Sequence, residues 1–415
     1  MICDSLQQHK LVNLSRQLRS PTLVRVDVNL PAVDGNIQED ALRLRVFAHM
    51  LELYSEYAGL VVISHQGRKG QDDFTSLIPH LTMLRKLLPH DIETEFVPNE
   101  CIFTDDTKRK IAGLRRRQIL LLDNVRFFDE ERRWEPATSN YLSLFKGTVR
   151  TCVNDSIPIW HREDSSLMCL PYVAPTFLGL RSSHELRILQ DVMGNDEPKA
   201  LVMGGAKLHS VTDLLKIARS GVEIFTGGLP GQLIARSRGH DLGEVNNRYL
   251  AHRFSREEFA GARELASLQG PGSRLMVQHP ADFVVEEEDG VQKNVELGDL
   301  AATRGKIKDI GAGTLEVYAE ALQETPIRVR AGPLGVYEEN HFNGLELTKR
   351  ISGDGLVFLG GDTSQELNRA GLLGHVEDSG GRICVSGGSF LHGWAGGAFP
   401  SVELLKRSQA PMVLD

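Results

Sequence analysis

Residues 199–210 read KALVMGGAKLHS, a short apolar run that ends in two glycines and a lysine. A run of this length, closed by Gly-Gly and followed by a helical stretch, reads as a buried strand whose carboxyl end turns sharply into a helix. The same reading extends outward to EIFTGG (223–228), RLMVQH (274–279), LVFLGG (356–361) and RICVSGG (382–388). Toward the N-terminus it extends to TLVRVDV (22–28), LVVISH (60–65), IETEFV (92–97), ILLLDNV (119–125) and GTVRTCVND (147–155). Segments 43–57 and 184–193 place apolar residues at helical spacing between such runs. Strands separated by helices predict an α/β chain with parallel sheets covered on both faces.

The first set of strands ends in Asp27 and Asn29, His65 and Arg68, Asn124 and Arg126, and Asn154 and Asp155. The second set ends in Gly204-Gly205, Gly227-Gly228, Gly360-Gly361-Asp362 and Gly387-Gly388. Ligands of open α/β sheets bind at these carboxyl ends. The division therefore predicts two domains, one with an arginine-lined anion site and one with a phosphate site of backbone amides. The break is expected within LPYVAPTFLGLRSSHELRILQDVM (170–193), where Pro171 and Pro175 interrupt the pattern and a helix from about Ser183 connects the halves.

A chain of 415 residues has room for two or three domains. Its 47 Lys+Arg against 55 Asp+Glu give a net charge of −8, which argues against a general nucleic-acid binder. No window of about 18 apolar residues and no signal-peptide core occurs, so neither a membrane span nor export is expected. Five cysteines (Cys3, Cys101, Cys152, Cys169 and Cys384) without a CxxC pair predict buried thiols in a reducing cytosol. The acidic run 286–290 reads as a solvated hairpin tip.

Arg25, Arg43, Arg68, Arg126 and Arg162 stand at or just past strand ends, or early in a helix. One such arginine is ordinarily a surface residue paired with a carboxylate. Five at equivalent positions predict a cleft for a phosphorylated or multiply anionic small molecule. Gly204-Gly205-Ala206-Lys207 is not a P-loop, and its expected chemistry is a turn that aims free amides at a phosphate. Asp362 suits Mg²⁺ ligation, helix capping, or both. His65 reads as an anion ligand in preference to a general base, and Trp160, Phe390 and Trp394 as packing residues.

RVDVNLP (25–31), SHQGRKG (64–70), LLLDNVRFFDEE (120–131), VNDSIPIWHRE (153–163), VMGGAKL (202–208), FTGGL (225–229), AGPLGVYEE (331–339), FLGGDT (358–363) and VSGGS (385–389) together resemble the phosphoglycerate kinase family, in its archaeal-type branch. The resemblance implies two Rossmann-like domains facing each other across a hinged cleft. It implies a substrate domain over 1–175, a nucleotide domain over 176–395, and a segment 396–415 returning to the first. It further implies a Mg²⁺-dependent exchange of phosphoryl between ATP/ADP and 3-phosphoglycerate, in a cytoplasmic monomer or weak homodimer without nucleic-acid or membrane partners. Arg25, Asp27, Asn29, His65, Arg68, Arg126 and Arg162 are then substrate ligands. Arg43 and Lys207, with Gly387 and Gly388, are the transfer residues. Gly204, Gly205, Ala206, Gly227, Gly228, Gly332, Pro333, Glu338, Gly360, Gly361, Asp362 and Thr363 are the nucleotide pocket, with Asp362 at the metal.

The chain departs from the family pattern at Lys69, Ile157–Trp160, Val211, Ala331, Leu334 and 390–397. Val211 takes the place of a second lysine, which predicts weaker nucleotide binding if that lysine matters here. The other changes crowd the expected substrate end. They leave open a paralogue that phosphorylates another small carboxylate, and a non-catalytic binding protein that keeps the fold.

Overall fold

A computed structural model describes residues 13–33, 36–37 and 42–407. The chain divides into two compact units, one running up to Gln190 and resuming at Ala398, the other Asp191–Gly397. The first carries β1 (Thr22–Val26), β2 (Leu60–Ile63), β3 (Glu93–Val97), β4 (Gln118–Leu122), β5 (Thr151–Asp155) and β6 (Thr176–Leu178). They form one parallel sheet in the order β3-β4-β2-β1-β5-β6. Successive side chains of a strand point to opposite faces, and both faces here are covered. Val24, Val26, Leu60, Val62, Ile119 and Leu121 pack with Phe47, Leu51 and Leu84 on one side. Leu23, Val61, Ile63, Leu120 and Leu122 pack with Ile111, Leu142 and Phe145 on the other.

The division lies within the stretch 170–193, later than the bound at 175. Thr176–Leu178 pairs with β5 as the edge strand of the first sheet, and the division falls inside helix Leu180–Gly194. After Gly397 the chain rejoins the first unit. Phe399 packs edge-on against Trp160 with centroids 5.8 Å apart, and Asn154 Nδ2 donates to Ser401 Oγ at 3.4 Å.

The second unit holds β7 (Lys199–Met203), β8 (Glu223–Thr226), β9 (Val277–Gln278), β10 (Asp282–Glu286), β11 (Gln292–Glu296), β12 (Lys306–Ile310), β13 (Ile327–Ala331), β14 (Leu356–Leu359) and β15 (Arg382–Cys384). Six of them make a parallel sheet, β9-β8-β7-β13-β14-β15. The other three make an antiparallel sheet, β11-β10-β12, which the parallel α/β reading did not include. In register, Met203 stands beside both Thr226 and Ala331, Ala331 beside Leu359, and Leu359 beside Cys384. The strands thus end level, and their glycine turns emerge along one sheet edge. Strand order reverses between β7 and β13, the topological position where such sheets bind ligands.

Cys152, Cys169 and Cys384 are buried as expected, Cys101 is exposed, and Cys3 lies outside the described residues. No helix among the described residues is long and apolar enough to cross a membrane.

Candidate active site

In the first unit the carboxyl ends of β1, β2 and β4 are locked together by side-chain amides. Gln66 Nε2 donates to Leu30 O at 2.7 Å, and its Oε1 accepts from Leu30 N at 3.0 Å. Asn124 Nδ2 donates to the carbonyls of Gln66 and Thr75, while its Oδ1 accepts from the amides of Gln66 and Arg126. Asn29 Oδ1 accepts from Gly67 N at 2.7 Å. These bonds tie the loops to one another at the sheet edge.

Within this frame sits a cluster of cations. His65 is buried, and its pKa falls well below the ordinary 6.5 because of desolvation and the surrounding Arg126, Arg25, Arg162 and Arg43. Arg25 Nη2 lies 3.2 Å from His65 Nδ1. Arginine only donates, so Nδ1 accepts and the neutral imidazole carries its proton on Nε2. His65 is thus a neutral hydrogen-bond donor, not a cationic anion ligand.

Arg25, expected among the substrate ligands, is fully buried. Its Nε donates to Ser166 Oγ at 2.9 Å, its Nη1 to Val26 O, and its Nη2 lies 3.9 Å from Glu131 Oε1. Every nitrogen is directed at a protein group, so Arg25 orients His65 instead of meeting a ligand. Glu131, whose carboxyl burial pushes up toward neutrality, completes this support by accepting from Ser166 Oγ at 2.7 Å.

Asp27 Oδ2 lies 3.6 Å from Arg43 Nη1, which also donates to Asn29 O at 2.8 Å. Asp27 and Asn29 therefore aim Arg43. Arg126 donates from Nη1 to Gly67 O, while its buried Nε and Nη2 have no hydrogen-bond partner, nor does Nη1 of Arg162. Burial and the neighbouring Arg162 lower the Arg126 guanidinium to about 10. Arg68 is exposed, and its charge acts on Arg162. The arrangement can bind an anion. It holds buried guanidinium donors without acceptors and a neutral imidazole N–H, and the charge of the nearby Asp164 acts on both Arg126 and Arg162.

Trp160 does not enter this region. It is fully buried, with its indole N–H donating to Asn154 Oδ1 at 2.8 Å. Ile157 and Ile159 are buried beside it in sequence. Lys69 is a surface partner of Asp129 at 3.1 Å.

In the second unit the glycines work differently from the sequence expectation. The amides of Gly204, Gly205, Gly227 and Gly228 donate to Ala331 O, Pro333 O, Met203 O and Leu334 O at 2.6–2.9 Å. Gly332 N donates to Thr363 Oγ1 at 2.7 Å, and Gly360 N to Cys384 O at 2.9 Å. These amides stitch adjacent strand ends together and are not free for phosphate. Glycine is required by contact: a Cβ on Gly204 would lie 2.1 Å from Pro333 O, and one on Gly332 (φ +92°) 2.5 Å from Gly204 O. Thr363, buried, bridges Gly332 N and Leu359 O and is a brace.

Amides without an intrahelical acceptor remain in the first turns of helices Gly361–Arg369 and Gly388–Trp394, beside exposed Asp362. Gly387 and Gly360 pack closely, the Cβ position of one lying 3.4 Å from the Cα of the other. Ala206, Lys207 and Glu338 are exposed. Lys207 and Asp362 both act on His209, a residue the sequence reading overlooked, whose imidazole burial drives down to about 4. Nothing in the LHS context of His209 marks it in advance; its signal is spatial.

The departures in this unit are internal. Ala331 and Leu334 are buried, and Leu334 packs where Gly227 and Gly344 leave room. Val211 packs against Gly261 of helix Arg256–Ser267. Phe390 and Trp394 are buried, as their packing role predicts.

A phosphoglycerate kinase family model matches residues 18–396. The phosphoglycerate kinase of Sulfolobus acidocaldarius is 32% identical, with 93% of each chain covered. That of Methanopyrus kandleri is 29% identical over 92% of this chain and 94% of its own. The crystal structure of phosphoglycerate kinase from Pyrococcus horikoshii OT3 superposes with a TM-score of 0.81 at 27% identity, covering 92% of this chain and 95% of that one. The match to almost the whole chain agrees with the level strand ends and the arginine cluster, and the chain belongs to the phosphoglycerate kinase family, kinases whose phosphoryl acceptor is a carboxyl group.

Proposed function

We propose that the first unit holds 3-phosphoglycerate and the second Mg·ATP, and that the chain moves a phosphoryl group reversibly between them. One observation carries the residue assignment: Arg126 and Arg162 keep buried guanidinium nitrogens without partners, around a neutral His65. These donors suit the phosphate of the glycerate. The acceptor carboxylate is already ionised at neutral pH, so no general base is needed. A depressed His65 is consistent with a positioning role.

What the reaction needs is alignment and positive charge on the migrating group. Arg43, aimed by Asp27 and Asn29, and the exposed Lys207 are the cations assigned to it. Exclusion of water from the bound substrates protects the migrating group from hydrolysis in this reading. The helix amides beside Asp362 suit the phosphates, while its exposed carboxylate suits Mg²⁺, which takes one or two carboxylates together with phosphate oxygens and water. Asp362 would hold it, and when bound the ion neutralises charge on the β- and γ-phosphates.

The burial of Trp160, Ala331 and Leu334 supports 3-phosphoglycerate over a different carboxylate, because none of the three lines the cationic cluster. The net charge of −8 supports small-molecule partners over nucleic acid. A cytoplasmic monomer or weak dimer completes the proposal. The test is a coupled assay with 3-phosphoglycerate, run beside other small carboxylates and beside Lys207→Ala. Turnover restricted to 3-phosphoglycerate and reduced at least a hundredfold by Lys207→Ala is expected, as for loss of one preorganised charge donor. An unchanged Lys207→Ala rate ends the assigned mechanism, and turnover of another carboxylate alone ends the substrate assignment.

A further inference from the structure

The acidic run that the kinase reading leaves unused opens on a second cluster. Glu286 ends β10, and the following turn, in which Glu287 N donates to Val291 O at 3.0 Å, carries the chain into β11. Lys308 stands on β12, its Nζ 3.6 Å from Glu286 and in a closer hydrogen bond with Glu339. His341 follows two residues after Glu339, and its Nε2 lies 3.7 Å from Glu286 Oε2. One ligand atom from each of Glu286, Glu339 and His341 lies within 4.8 Å of the other two.

An ion-pair network alone accounts for the carboxylates, because the ammonium neutralises them. It does not account for the imidazole. His341 is 5% exposed, and its Nε2 has no hydrogen-bond partner, although buried polar atoms are ordinarily satisfied.

We propose that Glu286, Glu339 and His341 form a Zn²⁺ site, with the Lys308 ammonium as the internal competitor that occupies the carboxylates when metal is absent. One imidazole nitrogen with two carboxylates is a donor set that suits Zn²⁺, whereas Mg²⁺ and Ca²⁺ favour oxygen alone. Zn²⁺ bonds of about 2.0–2.2 Å put tetrahedral ligand atoms roughly 3.4 Å apart, so separations in the cluster that now reach up to 4.8 Å must contract by as much as about 1.4 Å. Its two carboxylates have the room: the side chains of Glu339 and Glu286 are 51% and 30% exposed, against 2% for His341. The imidazole is the fixed point, the carboxylates swing in, the ammonium leaves, and a fourth position stays open to water. The bound ion would fasten the loop after β13 to the antiparallel sheet.

Zn²⁺ titration into the full-length protein in excess Mg²⁺, followed by calorimetry and by thermal melting, tests this. One Zn²⁺ per chain is expected, binding at least tenfold weaker in His341→Gln and in Glu339→Gln, and tighter in Lys308→Met. Zn²⁺ should also raise the melting temperature of the wild type and not that of His341→Gln. The half-exposed Glu339 serves as the variant whose folding is not at issue. Wild-type Zn²⁺ affinity in both His341→Gln and Glu339→Gln, or no Zn²⁺ uptake by the wild type, overturns the proposal.

Discussion

Arg126→Met should make the protein more heat-stable and less active. In the folded chain Arg126 is 8% exposed, and its pKa drops from 12.5 to about 10, mainly by desolvation and next by the charge of Arg162. A cation whose folded-state pKa is depressed destabilises the fold at neutral pH, and the deficit is recovered only as pH rises above about 10. At about 1.4 kcal/mol per pKa unit the deficit is on the order of 3 kcal/mol, or about 2 after allowance for solvent screening. Methionine keeps the apolar stem and forfeits the hydrogen bond to Gly67 O, worth about 1 kcal/mol. The net gain of about 1 kcal/mol corresponds to roughly 2–4 °C in melting temperature.

Catalysis moves the other way. Nε and Nη2 of Arg126 have no protein partner. Two charge-assisted bonds to a substrate phosphate at about 1.5–3 kcal/mol each put the loss in kcat/KM at roughly 10²–10⁴. Ligand-free thermal melting and the coupled assay with 3-phosphoglycerate read the two effects separately. A variant that melts several degrees below wild type while kcat/KM falls less than tenfold would show that Arg126 is a structural strut, and the assignment of the anion site would fail.

Trp160→Phe removes the indole hydrogen bond to Asn154 and some buried volume, so it should cost about 1–3 kcal/mol of stability and leave acceptor specificity unchanged. A changed acceptor preference in the coupled assay would return Trp160 to the pocket. Gly332→Ala must place a Cβ 2.5 Å from Gly204 O at φ +92°, and a loss of more than about 3 kcal/mol is expected with weakened ADP binding by calorimetry. Arg330→Met alone strands the fully buried Glu366, now held at 2.8 Å, and should cost about 3–5 kcal/mol; Arg330→Met with Glu366→Leu should recover most of it in chemical denaturation. Burial pushes the Asp309 carboxyl up to about 7, so its contribution to stability is complete below about pH 4 and lost as pH rises through 7. Asp309→Asn should flatten that part of the stability–pH curve, and an unaltered slope would show that another group titrates there.

The strand IRVRA (327–331) shows where the sequence stops being readable. It is the partner of β7 across the switch point and supplies the Gly332 turn, yet two arginines in five residues break the apolar run by which its neighbours are recognised. Burial of Arg330 is made tolerable by Glu366, on a helix that follows a different strand, and by the Phe358 ring 5.8 Å from its guanidinium carbon. A rule that reads burial from local hydropathy has no access to a partner so distant in sequence. The same limit applies at the glycine edge. Gly-Gly at a strand end announces a close approach, and the close approach exists, but what approaches is Pro333 and its neighbours on the adjacent strand end. Sequence fixes that a side chain must be missing there without saying what fills its place. In the first unit Arg126, Arg162 and His65 could be named from their positions after strands. The neutrality of His65 could not, because it follows from burial among Arg126, Arg25, Arg162 and Arg43, and neither could the supporting part of Arg25, which follows from Glu131 and Ser166 closing around its guanidinium. Residue type and strand position thus locate the chemistry, whereas which charges are engaged by the protein and which are left for a ligand is settled only by tertiary pairing.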